Sequence, residues 1–141
     1  MARRVEGALN LDAEVRRRVR SRAGGHCEYC RLHERHADLR HQVEHVIARQ
    51  HGGGDEFENL AYACARCNAF KGPNLSGIDP DTGRLERLFH PRLDVWADHF
   101  AFCTFWVVGL TPIGRTTVYV LGMNEPRRLE IRSLLLSDGE L

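Results

Sequence analysis

Apolar residues recur every four positions near the start of the chain, where Leu11, Val15 and Val19 line up around Asp12, a residue type suited to capping a helix start. Gly24-Gly25 closes the run, so the pattern predicts an amphipathic helix over 12–23. From Arg40 the period shortens to two. Val43, His45 and Ile47 fall on one side and Glu44 and Val46 on the other, as in a strand, until glycines 52–54 and the acidic run DEFE break the alternation. Leu60, Cys64 and Cys67 then recur at helical spacing toward Lys71-Gly72-Pro73, where a cation, a glycine and a proline mark a helix end.

Beyond residue 73, GIDPDTGRLERLF predicts a hairpin, with Asp79, Pro80, Asp81 and Gly83 supplying the turn. A short helix is expected over Pro91 to Asp98 and a strand over His99 to Val108. Thr111-Pro112 has the form of an N-cap followed by proline at the first helical position, opening a helix toward Asn124. A second helix near Arg127 to Leu136 places Ile131, Leu134 and Leu135 on one face. No internal repeat or low-complexity tract interrupts the series.

At 141 residues and 43% hydrophobic content, the chain is expected to be one soluble globular domain, 1–141. No apolar run approaches the roughly 20 residues that span a membrane, and MARRVEGALN leads into charge instead of the apolar stretch of a secretory signal. A cytoplasmic location follows as the expectation, which favours free thiolates over disulfides. The net charge of +1 does not by itself announce a nucleic-acid binder. Its distribution is more telling: residues 1–72 carry 13 basic against 10 acidic side chains, and residues 73–141 carry 7 against 9. Arg16, Arg17, Arg18, Arg20 and Arg22 lie mostly off the apolar stripe of the first helix, as phosphate contacts or as a solvated face.

The chemistry concentrates in the middle of the chain. Two Cys-x-x-Cys pairs, Cys27/Cys30 and Cys64/Cys67, supply four thiolates, the set that closes a tetrahedral structural zinc site. Cys103 stands alone in an apolar run and is expected as a small buried side chain.

CEYC, EHVI, GGG, ENL, CARCN and KG follow one another over residues 27–72, and in that order they resemble the HNH, or ββα-metal, endonuclease family. Segments of the tail, GIDPDTG and GLTPIGRTTV among them, are similar to the tail of a bacterial subgroup of HNH proteins. The resemblance implies an α+β fold: a zinc-stapled ββα core over 27–72, preceded by the N-terminal helix and followed by an α/β extension over 73–141. It also implies a metal-dependent endonuclease that hydrolyses phosphodiesters to 5′-phosphate and 3′-hydroxyl ends, with low sequence specificity or nicking activity. DNA is the implied partner, with RNA left open as a second polynucleotide; no membrane is involved.

By the same resemblance His45 is the general base, and Glu44 with Asn68 holds a catalytic Mg²⁺ or Mn²⁺. Glu44 stands where the family more often has Asp, one methylene shorter. Asn59 is implied to hydrogen-bond backbone across the glycine loop and hold the base in place. Lys71, the only lysine in the chain, is either a phosphate contact or the favourable cation of a helix C-terminus. Arg49 stands where relatives often have proline, either as a contact to the DNA backbone or as a replacement for a rigid turn. His41 and His51 flank the site without an assigned role, and His33 and His36 are read as surface residues. The alternatives are a catalytically silent zinc-stabilised nucleic-acid-binding module and a zinc protein whose surface binds other proteins.

Overall fold

The computed structural model describes residues 11–141, as an α+β fold of short helices and three two-stranded antiparallel sheets. The segment MARRVEGALN, the capping contact expected of Asp12 and the packing of Leu11 lie outside the described residues. Contacts gather into two compact units that meet in sequence between Asn68 and Ala69.

In the first unit, a wide π-type turn over Leu11–Val15 leads into α1 (Arg16–Ala23). Helix α1 stops at Gly24, whose left-handed backbone (φ 61°) is a conformation glycine adopts at no steric cost. The ribbon that follows pairs β1 (Gln42–His45) with β2 (Leu60–Ala63) in the register Val43 to Tyr62 and His45 to Leu60. Side chains of one parity on this ribbon pack on α1. Val19, Leu60 and Tyr62 form the buried cluster, flanked by Val15, Ala23, Val43 and Phe57. Each of these large apolar side chains stabilises the unit by roughly 1.5–3 kcal/mol when fully buried.

Strand β1 ends at His45, and Ile47 leaves it because its backbone N–H bonds to the Asn59 side chain. Leu60 belongs to β2, so helix α2 (Ala65–Lys71) begins only after Cys64. Cysteine spacing imitates helical periodicity because the metal knuckle imposes a similar interval.

The second unit opens with the expected hairpin, β3 (Ser76–Ile78) against β4 (Leu85–Arg87). Its turn is held by Asp79, which is fully buried and accepts from the Asp81 backbone at 3.0 Å and from Arg115 at 2.8 Å. The short helix is one turn, α3 (Trp96–His99), later than expected. The single strand predicted over His99 to Val108 is instead a hairpin, β5 (Phe100–Cys103) and β6 (Trp106–Gly109). Thr104 turns the chain with a left-handed backbone (φ 53°) and a hydroxyl that donates to the Cys103 carbonyl at 2.6 Å. Cys103 is exposed at that bend, contrary to the buried position expected of it.

Helix α4 (Pro112–Val120) starts as predicted, with the Thr111 hydroxyl accepting from the Gly114 N–H at 3.0 Å, and ends before Asn124. Helix α5 (Pro126–Ser137) departs in part from its expected polarity: Ile131 and Leu135 are half-buried, but Leu134 is 61% exposed, and Arg128 and Arg132 are buried. Arg132 donates to the carbonyls of Phe105 and Met123 at 2.6 Å, and Arg128 to that of Leu121 at 2.7 Å. The guanidinium groups satisfy carbonyls that would otherwise be buried unpaired, an energy term that leucine has no means to supply.

Candidate metal and nuclease site

The four cysteines converge. Their sulfur atoms all lie within 4.8 Å of one another, and each of the four residues is buried. Zinc–sulfur bonds of about 2.3 Å give a tetrahedral edge of about 3.8 Å; Cys30 and Cys64 are 3.7 Å apart. Each knuckle is prepared locally, since the Cys30 N–H donates to Cys27 Sγ at 3.5 Å and the Cys67 N–H to Cys64 Sγ at 3.4 Å. Burial pushes the Cys27 and Cys67 thiols well above their ordinary pKa. Four thiolates packed this closely therefore need a cation, and the soft, tetrahedral donor set fits zinc.

The knuckle is also tied to the ribbon. Glu28 and Tyr62 exchange backbone and side-chain bonds: the Glu28 N–H donates to the Tyr62 carbonyl, and the Tyr62 N–H donates to the Glu28 carboxylate, both at 2.8 Å. Tyr29, fully buried, donates its hydroxyl to Glu44. Burial, then the Glu44 charge, pushes the Tyr29 phenol well up, so it stays a donor.

Glu44 and Gln42 leave β1 on the same face. Asn68, in the helix that follows Cys67, donates its amide N–H to the Gln42 side chain. Gln42 thus links Asn68 to the face of the ribbon that carries Glu44. Carboxylate and amide oxygens are hard donors, the chemistry that suits Mg²⁺ or Mn²⁺, although Glu44 is itself buried at 6% exposure.

His45 directly follows Glu44 and closes β1. Its Nε2 is 2.7 Å from Asp55 Oδ1, and Arg49 Nη2 reaches the same oxygen at 2.8 Å. The hydrogen bond from His45, with that from Arg49 behind it, holds the Asp55 carboxyl below the usual carboxylate range. An ionised carboxylate can only accept, so Nε2 carries the proton and the basic lone pair of the neutral ring lies on Nδ1. In the sequence Asp55 reads as part of an acidic run that breaks a strand. Its position directly after three glycines, which let the loop fold back ten residues to His45, was the available signal.

The loop itself is braced by Asn59, which is buried. Its amide donates to the carbonyls of Ile47 at 3.0 Å and Gly54 at 2.8 Å, and its oxygen accepts from the Ile47 N–H at 3.0 Å. Glycine is required at position 53 because a Cβ there would stand 1.7 Å from the Ile47 carbonyl oxygen and 2.9 Å from the Asn59 amide.

The remaining expected residues divide by exposure. Arg49 sits on the surface beside Asp55. Lys71 is only 1% exposed, which withdraws its ammonium from a phosphate at the surface. Of the helix arginines, Arg22 stacks 3.8 Å from the centre of the Phe57 ring and donates to the Phe57 carbonyl at 2.8 Å, a packing role. Among the described residues no helix is long and apolar enough to cross a membrane.

Residues 27–73 match the model of a protein family described as HNH endonuclease. Among curated proteins, the Septu protein PtuB of Bacillus thuringiensis is 29% identical over 113 residues, which cover 79% of this chain and 40% of that protein. The chain therefore spans less than half of that relative's length. No solved structure matches the chain.

Proposed function

We propose that this protein hydrolyses phosphodiester bonds in DNA, leaving 5′-phosphate and 3′-hydroxyl ends, a reading supported by the match of residues 27–73 to the HNH endonuclease family. The observation that carries this reading is His45 at the end of β1, oriented by Asp55 on one nitrogen within a loop braced by Asn59. His45 Nδ1 takes a proton from a water molecule as its oxygen forms a bond to phosphorus. The bond from phosphorus to the 3′ oxygen breaks, and that oxygen is protonated from solvent. Glu44 and Asn68 would hold a Mg²⁺ or Mn²⁺ ion, which compensates charge on the phosphate oxygens and the leaving group when bound. Asp55 keeps the imidazole in one tautomer, Arg49 adds positive charge at the edge of the site, and the four-cysteine zinc fixes the turn from which Asn68 projects.

The test is supercoiled plasmid with the purified protein in Mg²⁺, in Mn²⁺ and in chelator. Cation-dependent nicking that is lost in His45→Ala supports the reading, whereas undiminished cutting by that variant removes His45 as the base. One observation favours a second reading, a silent nucleic-acid-binding module: Glu44 is buried and bonded to the Tyr29 hydroxyl instead of facing solvent. DNA retention without cleavage in either metal would establish that alternative.

A further inference from the structure

On the α1 side of the first unit, a cavity of about 590 Å³ opens between that helix, the segment that follows the first knuckle, and β2. Its size falls within the roughly 300–1,000 Å³ typical of small-ligand sites. Four arginines line it, Arg16, Arg20, Arg35 and Arg40, against two acids, Glu34 and Asp38. The acidic charge is partly spent within the protein. Arg20 donates to Glu34 at 2.7 Å and the Tyr62 hydroxyl to its other oxygen at 2.6 Å. Burial raises the Glu34 carboxyl, but those two bonds outweigh it and hold the group below its usual range. Arg16 makes a long bond of 3.4 Å to the Tyr62 hydroxyl and lies over that ring, and neither it nor Arg40 has a carboxylate partner among the described residues.

A second, independent feature is His41, which lines the same cavity while being only 1% exposed. Its Nε2 is fixed on the Leu32 carbonyl at 2.9 Å, and its Nδ1 is buried with no hydrogen-bond partner. With Nε2 donating to a carbonyl, Nδ1 carries the lone pair, and a hydroxyl or amino donor entering the cavity would satisfy it. Surplus guanidinium charge beside an imidazole acceptor is a recognition surface for an oxyanion carried on a ligand that also bears a hydroxyl or amino donor, as a nucleotide does.

We propose that this cavity is a phosphate-binding site that takes the phosphate of a nucleotide, either free or at the end of a nucleic-acid strand. Neither His45 nor Asp55 lines it, so it binds its ligand whether or not the chain cuts DNA.

The experiment uses the full chain carrying His45→Ala, in magnesium-free buffer, so that absence of cleavage does not enter the result. Adenosine monophosphate, inorganic phosphate and a short 5′-phosphorylated oligonucleotide are titrated by calorimetry, with the imidazole nitrogens followed by nitrogen-15 NMR. Saturable binding that moves the His41 nitrogens and weakens about tenfold in Arg40→Ala, the loss of roughly one charged hydrogen bond, is the expected result. Arg84→Ala, at an exposed arginine outside the cavity, should bind normally. Binding of adenosine monophosphate identifies free nucleotides as a source; binding of the phosphorylated strand alone identifies the strand end. Failure of all three probes to move His41 overturns the proposal, as does equal binding by the same oligonucleotide without its terminal phosphate. An oligoglutamate peptide that binds while phosphate does not would make the cavity a docking surface for acidic protein segments and would equally overturn it.

Discussion

Asp55 accepts two hydrogen bonds on one oxygen, from His45 and from Arg49, and through the first of them it decides which imidazole nitrogen can act as a base. Replacing it by asparagine should slow plasmid nicking by about 10–100-fold, the range for partners that orient a reacting group, while leaving the circular dichroism spectrum unchanged. Single-turnover rates at saturating metal check this, and an unaltered rate would mean that the pair is only a surface contact. His45→Ala removes the proposed base itself and should lower the rate by about 10²–10⁴. Asn59 acts on backbone instead. Asn59→Ala strands the Ile47 N–H and the Gly54 carbonyl, each worth about 1–3 kcal/mol if left unsatisfied, so its melting temperature should fall as well as its activity. Thermal unfolding followed alongside nicking separates these cases, because Asp55→Asn is expected to change only the second.

Helix α2 carries Cys67 and Asn68 as consecutive residues, so under the proposed reading it links the cysteine cluster to the catalytic cation. Cys67→Ser should therefore release bound zinc, lower the melting temperature and abolish nicking together. Asn68→Ala should retain about one zinc per chain by elemental analysis and most of its stability, yet lose cation-dependent cleavage; loss of zinc from that variant would refute the division of labour. In the second unit, the strand–turn segment from β4 to α3 is held by Arg87, which donates to Asp94 at 2.7 and 2.9 Å. Led by that bond, the Asp94 carboxyl drops from 3.8 to about 2. A carboxyl depressed in the folded state contributes stability that is fully present above the unfolded value. That contribution disappears as pH falls from 3.8 through about 2. It amounts to roughly 2 kcal/mol, so urea midpoints measured down to about pH 2 should fall less steeply in Arg87→Gln, which starts lower at neutral pH.

Over the whole molecule, the fold divides where chemistry divides: the cysteine cluster, His45 and Asn68 lie in the unit ending at Asn68, and the three-helix extension follows. Structural zinc contributes on the order of 10–16 kcal/mol to small zinc folds. Stripping it with a strong chelator should erase hydrogen-exchange protection in β1 and β2 while β5, β6 and α4 retain theirs; protection kept in the ribbon would show that zinc is not its staple. Much of this organisation was legible in the residues alone. The Cys-x-x-Cys pairs, the glycine loop, the Thr111-Pro112 helix start and the Asp79–Gly83 turn are local devices, in which neighbours within a few positions set the backbone conformation. What the sequence by itself determined is therefore the order of elements and the cluster of candidate residues around 44–68. The tertiary structure decided which of those residues meet. It placed Asp55 on His45 across ten residues, turned Leu134 out while Arg128 and Arg132 turned in, exposed Cys103 and buried Lys71. The physical reason is that periodicity reports which side of an element is apolar on average. Partners between segments are chosen by unsatisfied backbone groups and charges, which become visible only when the segments are packed.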